Sequence, residues 1–345
     1  MGAVAPPAWV SVEDESAVVA VRRAAADRAE ALGFPGHRAA EAAAAAAEIA
    51  TLLCRNGARG TVHVRQAGPE LEILAVGEGG GLDVARLGEI TGVSDWADAY
   101  SHPGRGTVFA AGFRPRRDHP DLAGEDWLVD GLVRPVAGEE LCGDGFAVRQ
   151  VGGTLALMLC DGLGHGPMAA AAADVAIRTF EHAVNEGRVA GGAPVAGGER
   201  VGGSGAVAGD GRLTVDGPGE LLGRIHRELR VTRGAAVAVG VVSGGILRYS
   251  ALGNVSAGIV DDERRVLVSL PGIAGHRAPA IREFEYPLPP GALIVMHSDG
   301  VRDRWELKGY PGLRTRGPLV IAATLLRDMG VPRDDAGVLV AKPAS

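Results

Sequence analysis

Apolar and polar positions along the chain fall into blocks of two periods. Near the amino terminus Trp9–Val12 reads as a short strand, and Ser16–Leu32 and Arg38–Arg55 repeat alanine and aliphatic residues at helical spacing. The second helix carries Ile49, Leu52 and Leu53 on one side and meets a stop at Asn56-Gly57. Thr61–Gln66 and Leu71–Val76 alternate around Ala67-Gly-Pro69, which predicts a hairpin, followed by a glycine-rich loop from Gly77 to Gly81. Past a charged, proline-containing stretch, strands are expected over Trp127–Pro135, Phe146–Val151 and Leu155–Cys160, and a helix over Ala169–Asn185. Twelve glycines and few bulky apolar residues fill 187–219, too little apolar surface to offset the entropy of ordering, so a disordered insertion is expected there. Glu220–Arg230 is helical, with Leu221, Leu222, Ile225 and Leu229 on one face. Ala235–Val242, Ile246–Ala251, Val255–Val260 and Val266–Leu270 predict an antiparallel meander. Arg282–Tyr286 and Ala292–His297 add strands, Pro318–Met329 a helix and Val338–Val340 a last strand.

At 345 residues the chain is long enough for two domains. The breaks divide it into residues 1–113, a linker at 114–126 and a second domain over 127–345. A net charge of −7 and a pI of about 5.8 argue against a nucleic-acid surface. Cys54, Cys142 and Cys160 are odd in number and far apart, which suggests reduced thiols and neither a disulfide framework nor a zinc site. The sequence shows no secretory leader, no myristoylation motif and no run with the bulk of a membrane span, so a cytoplasmic protein is expected.

The chemistry concentrates at strand ends. Leu155–Cys160 is an uncharged run that stops at Asp161, and Gly162, Gly164 and Gly166 follow before Pro167 opens a helix. Gly143-Asp144 lies one strand upstream, Ser298-Asp299-Gly300 follows Ala292–His297, and Asp334-Asp335 precedes the last apolar run. A single Asp-Gly is an ordinary turn, but four aspartate-bearing motifs at strand borders form an oxygen-donor set suited to Mg²⁺ or Mn²⁺. Asn254 in Gly253-Asn254 fits a tight turn or a place near such a site. His165 and His297 flank two of the motifs, His165 as a proton donor near the cleft or, like His297, as a structural histidine. Ser298 has no His-Asp pair to make it a nucleophile and fits a supporting role. Glu139 and Glu140 lie close enough in sequence to Asp144 to enter an outer metal shell, and read otherwise as surface residues of a turn.

Gly143-Asp144, Asp161-Gly-Leu-Gly-His-Gly166, Ser298-Asp-Gly300 and Asp334-Asp-Ala336, in that order, resemble the metal-site motifs of the sporulation-protein-E-like serine/threonine phosphatases, a branch of the protein phosphatase 2C superfamily. The resemblance covers roughly Trp127 to Val340. It implies an αββα sandwich with two Mn²⁺ or Mg²⁺ ions in the cleft between its sheets. Asp161 would be the bridging ligand, Asp144, the Gly162 carbonyl, Asp299 and Asp334 would complete the set, and Asp144 and Asp161 would carry catalysis through the ions. It also implies a phosphorylated anti-anti-sigma-type protein as substrate, with neither nucleic acid nor membrane as partner.

Residues Trp9 to Phe113 follow the order helix, helix, hairpin, Gly-rich loop, with Gly104-Arg-Gly106 afterwards. This resembles the ATP-binding domains of switch-protein serine kinases that act as anti-sigma factors, which implies an α/β sandwich of the histidine-kinase ATPase type. Glu48 stands at that family's helix glutamate, but Leu52 occupies the Asn position that holds Mg²⁺, and Gly77 that of the adenine-reading Asp; Gly79 and Gly81 remain. The site at Glu48, Leu52, Gly77, Gly79 and Gly81 therefore reads as degenerate and nucleotide-free. The overall class is α+β, a phosphatase sandwich preceded by an ATPase-like α/β sandwich. Two alternatives remain: a non-catalytic anti-sigma-like partner switch, and an active kinase-phosphatase fusion.

Overall fold

The computed structural model describes residues 8–55, 59–79, 88–115, 126–190, 215–278 and 280–344. Its contacts divide the chain into two units, Met1–Gly124 with Trp305–Met329, and Glu125–Arg304 with Gly330–Ser345.

The first unit opens with β1 (Ala8–Val12), α1 (Ser16–Ala31) and α2 (Gly36–Arg55). The hairpin β2 (Gly60–Ala67) and β3 (Glu70–Gly77) follows, then α3 (Gly88–Val93), β4 (Trp96–His102) and β5 (Gly106–Phe113). The strands form one antiparallel sheet in the order β1-β2-β3-β5-β4. Val21, Ala25 and Ala29 of α1 recur every four residues and meet the small side chains of α2. Beneath the helices lie Val62, Val64, Ile73, Ala75, Phe109 and Phe113 of the sheet. Arg38 of α2 is buried, donates to Val93 O at 2.6 Å and to Asp95, and lies 5.4 Å over the Phe113 ring, so one guanidinium ties α2 to the turn before β4. Arg65 and Glu72, directly opposed on β2 and β3, form a buried 2.6 Å ion pair.

The second unit contains β6 (Trp127–Arg134), β7 (Asp144–Val151), β8 (Thr154–Gly162), α4 (Pro167–Ala190) and α5 (Pro218–Glu228). These are followed by β9 (Ala235–Ser243), β10 (Ile246–Leu252), β11 (Ser256–Val260), β12 (Arg264–Val266), β13 (Phe284–Pro287) and β14 (Leu293–His297). Two five-stranded antiparallel sheets stack, β13-β10-β9-β8-β7 and β12-β11-β14-β15-β6, where β15 is Ala336–Pro343. Strand β8 shows why its run is wholly apolar. Leu155, Leu157 and Leu159 face the inter-sheet core, while Ala156, Met158 and Cys160 face the core that also holds Ala172, Phe180, Leu221 and Ile225 of α4 and α5. This is the layered sandwich expected from the sequence.

Three sequence expectations change. The four-strand meander is two hairpins in different sheets: β9 and β10 in one, β11 and β12 in the other. The chain crosses between them at Gly253 (φ 93°), where a Cβ would lie 2.6 Å from that of Ala236. The run Val266–Leu270 is strand only up to Val266. After Leu267 the chain leaves β11, and Leu270 bonds back to the first sheet through Ala251 O at 3.0 Å. The glycine-rich insertion is shorter than 187–219 at both ends, because α4 continues to Ala190 and Pro218 opens α5; residues 191–214 lie outside the described residues. Asn56-Gly57 and all of the linker except Arg114, Pro115 and Asp126 also lie outside them, and Arg114 pairs with Glu70 at 2.6 Å.

Between β14 and β15 lies α6 (Pro318–Met329), the helix expected from the sequence, which belongs by its contacts to the first unit and packs on β3, β4 and β5. Asp98 of β4 accepts from Gly317 N at 2.6 Å, just ahead of the helix, and pairs with Arg316 at 3.4 Å. Arg105 lies 4.8 Å over the Tyr310 ring and 3.7 Å from Asp328. The breaks in the sequence assign this segment to 127–345, whereas its contacts place it with the first unit. Among the described residues no helix is long and apolar enough to cross a membrane.

Candidate metal centre

The hairpin of β7 and β8 sets the centre. Its register places Asp144 directly opposite Asp161 at the open end of the strands. Gly162 N donates to Gly143 O at 2.9 Å, and a Cβ on Gly162 would stand 2.4 Å from Ala169 O, so only glycine lets α4 come this close. Gly164 (φ 83°) and Gly166 (φ 74°) shape the loop that follows.

Asp299 arrives from the end of β14 and Asp334 from the turn before β15. Asn254 donates to Asp299 Oδ2, so it stands beside that acid. Ser298 Oγ donates to Asp144 Oδ2 at 2.5 Å and accepts from Gly337 N at 2.9 Å. Buried His297 stands 2.9 Å from Ser298 O through Nδ1 and 3.2 Å from Asp303 through Nε2. Its hydrogen bond, with those of Arg264, draws the Asp303 carboxyl down to about 2. His297 is therefore structural. His165 is exposed on the loop and pairs with Glu139 at 3.1 Å, which brings Glu139 to the loop rather than leaving it a bystander.

One organiser escaped the sequence reading. Asp335 is buried and accepts from Val136 N at 2.7 Å and Gly143 N at 2.8 Å, and its backbone leaves no room for a side chain at Gly300, where a Cβ would lie 1.8 Å from Asp335 O. Its neighbour in sequence, Asp334, is the more open of the two, and the doubled acid at a strand start was the only available sign that one could be a ligand and the other a brace.

Asp161, Asp144 and Asp334 are each raised by burial and by acidic neighbours. Burial, and then the charges of Asp144, Asp299 and Asp334, push Asp161 up to about 9. Burial pushes Asp144 up to about 7 against the Ser298 hydrogen bond, with Asp335, Asp299 and Asp334 adding to it, and Asp334 is raised by burial and by Asp299. Asp144 Oδ1 is buried with no hydrogen-bond partner among the described residues. Among those residues no three histidine, cysteine or carboxylate groups already close on a common point. The donor set fits hard cations: oxygen ligands only, mutually repelling, with one buried carboxylate oxygen unpartnered.

Of the residues read as a degenerate nucleotide site of the first unit, Glu48 is exposed on α2, Leu52 is buried in the core, Gly77 ends β3 against Leu53, Gly79 is exposed at φ 87°, and Gly81 lies outside the described residues.

No curated protein sequence matches the chain. Among solved structures, similarity extends to a chain from work on the bacterial stressosome, a modular system adapted to control secondary messenger signalling (29% identity, 63% of this chain and 100% of that one, TM-score 0.49). It extends also to RsbX in complex with magnesium (15% identity, 64% and 97%, TM-score 0.48). A third is the phosphatase domain of SpoIIE from Bacillus subtilis with a fragment of its regulatory domain (15% identity, 81% and 80%, TM-score 0.46). The profile of the family described as Stage II sporulation protein E (SpoIIE) matches residues 151–342, which include Asp161, Asp299 and Asp334. That match spans more than half of the 345 residues, and the chain belongs to the stage II sporulation protein E family.

Proposed function

We propose that the chain is a metal-dependent phosphoprotein phosphatase that hydrolyses phosphoserine or phosphothreonine, with an anti-anti-sigma-type protein of a bacterial partner-switching pathway as substrate. The observation that carries this reading is the register that sets Asp144 directly opposite Asp161 at the end of the β7–β8 hairpin, with Asp299 and Asp334 near enough for their charges to act on Asp161. Two Mn²⁺ or Mg²⁺ ions are the proposed cofactors, with those acids and the Gly162 carbonyl as ligands. When bound, such ions bind phosphoryl oxygens and make water a competent nucleophile at neutral pH. The protein's own part is positional. Asn254 and Ser298 each fix one carboxylate oxygen of Asp299 and Asp144, Asp335 ties the Gly143 turn to the start of β15, and Gly162 admits α4 to the loop.

The purified full chain should hydrolyse p-nitrophenyl phosphate or a phosphoserine peptide with Mn²⁺ or Mg²⁺ and lose this in EDTA. Asp161→Asn should lower turnover roughly a thousandfold or more. Unchanged turnover in that variant would sink the mechanism. The substrate class is supported by the resemblance of both halves of the sequence to partner-switching components. For the first unit we propose a nucleotide-free docking domain, supported by Leu52 lying in the core and Gly77 offering no carboxylate. Calorimetry on the full chain should then show no Mg-ATP binding, and micromolar binding would restore the kinase reading.

A further inference from the structure

Eight large apolar side chains are exposed among the described residues, and three of them lie within two residues in sequence of the loop Gly162–Gly166 or of a residue that touches it. Met168 (58% exposed) lies two residues beyond the loop at the start of α4. Leu141 (40%) lies two residues after Glu139, whose carboxylate holds His165 and stands 3.1 Å from where a Cβ would be on Gly166. Val231 (91%) lies two residues before Arg233, whose Nη1 stands 3.5 Å from Leu163 O and 3.0 Å from where a Cβ would be on Gly164. Register fixes this last placement, since Ala235 pairs with Gly162 and Leu163 N donates to Gly234 O at 3.1 Å. The Arg233 carbonyl is held in turn by His276 Nε2 at 2.8 Å. Arg233 is exposed and has no carboxylate partner among the described residues, although Asp161 stands at the end of the neighbouring strand, paired in register with Ala236.

Single exposed apolar residues need no explanation, but three within two residues of groups that touch one loop, beside an unpaired guanidinium, form a surface of mixed and definite chemistry. A small phosphomonoester has no use for the apolar part. A peptide segment does: its phosphoryl group gives Arg233 a charge-assisted partner, and apolar side chains on either side of the phosphorylated residue cover Leu141, Met168 and Val231. We infer that Leu141, Met168, Val231 and Arg233 form a docking rim for an extended phosphoserine or phosphothreonine segment of a protein with apolar residues beside the phosphate. This rests on the phosphatase reading and deepens it, because it states what distinguishes the substrate from other phosphoesters.

The test uses the full chain with Mn²⁺ and two labelled peptides. Each carries a phosphonate analogue of phosphoserine that cannot be hydrolysed, one flanked by leucines and one by glycines. Fluorescence anisotropy should show the leucine peptide bound at least about tenfold more tightly, a preference that depends on the covered apolar area. The double variant Met168→Ser, Val231→Ser should bring the ratio to within about twofold, and both sites are exposed enough for the fold to survive, which a melting curve checks. Arg233→Ala should weaken the leucine peptide about tenfold, and Arg233→Lys should recover part of that loss. Equal binding of the two peptides by the native chain, or a ratio unmoved in the double variant, would overturn the rim. Hydrolysis of p-nitrophenyl phosphate by the native chain is measured beside it: its absence would count against the phosphatase reading, whereas hydrolysis with a flat peptide ratio would count against the rim alone.

Discussion

Single residues at the centre are legible to different depths. Asp144, Asp161, Asp299 and Asp334 stand out as candidates because each borders an apolar run, a local signal. The work of Asp335 could not, since its partners Val136 and Gly143 are 199 and 192 residues away in sequence and only the folded chain brings them to it. Ser298 lies between these cases, visible beside Asp299 yet defined by its bonds to Asp144 and Gly337. Ser298→Ala removes both bonds and leaves Asp144 with a second unpartnered oxygen, a loss of about 1–3 kcal/mol that a denaturation midpoint would report. The raised acids give a pH dependence with a definite sign. Asp144 and Asp161 move from an ordinary 3.8 to about 7 and about 9, so the folded metal-free chain binds more protons than the unfolded one across that interval. Stability must therefore fall as pH rises through it. Protein in EDTA should melt lower at about pH 8.5 than at about pH 5, and Mn²⁺ should raise the melting temperature most at the higher pH, where no proton competes. Equal melting at both would show that the acids do not share a field.

Among the elements, β8 and the helices α1, α2, α5 and α6 are plain in the pattern, because burial on one or both faces imposes a period. Strands β4 and β5 and the short α3 are not, since Trp96–His102 and Gly106–Phe113 mix small, polar and apolar residues without alternation, and β5 is buried along its entire length. Nor does a run of apolar residues say which sheet it joins, which is why β9 to β12 read as one meander. The turns, by contrast, announce their glycines, and two of these are steric requirements. Gly162→Ala would drive a Cβ to 2.4 Å from Ala169 O, and Gly300→Ala to 1.8 Å from Asp335 O. Both neighbours are backbone atoms, so the element itself must move. Each variant should melt lower by a shift equivalent to about 1–3 kcal/mol and lose Mn²⁺-dependent turnover together with that stability. A Gly→Ala variant at Gly152, where a Cβ would meet nothing within 4 Å, serves as the comparison for backbone strain alone at φ 55°.

For the whole molecule, the breaks in the sequence suggest two domains but not the ownership of α6. Periodicity marks Pro318–Met329 as a helix, and nothing in it tells that Asp98, Arg105 and the face of β3, β4 and β5 receive it. A fragment of residues 1–124 should accordingly bind a hydrophobic dye and precipitate, and adding Trp305–Met329 as a separate peptide should suppress both, as followed by dye fluorescence and light scattering. A monomeric, dye-free fragment would show that the sheet does not need its helix. Synthesis on the ribosome meets the same fact as a delay. The first unit begins to emerge first, yet its last helix is translated about 200 residues after Gly124, roughly 10–40 seconds later at ordinary rates. Until then the nascent chain carries a sheet without its α6 while most of the second unit is being made, so the usual order, in which an amino-terminal domain folds and is set aside, is not open to this protein. Its two units must reach completion together, and a pause or truncation late in translation would leave the early half as exposed as the late one.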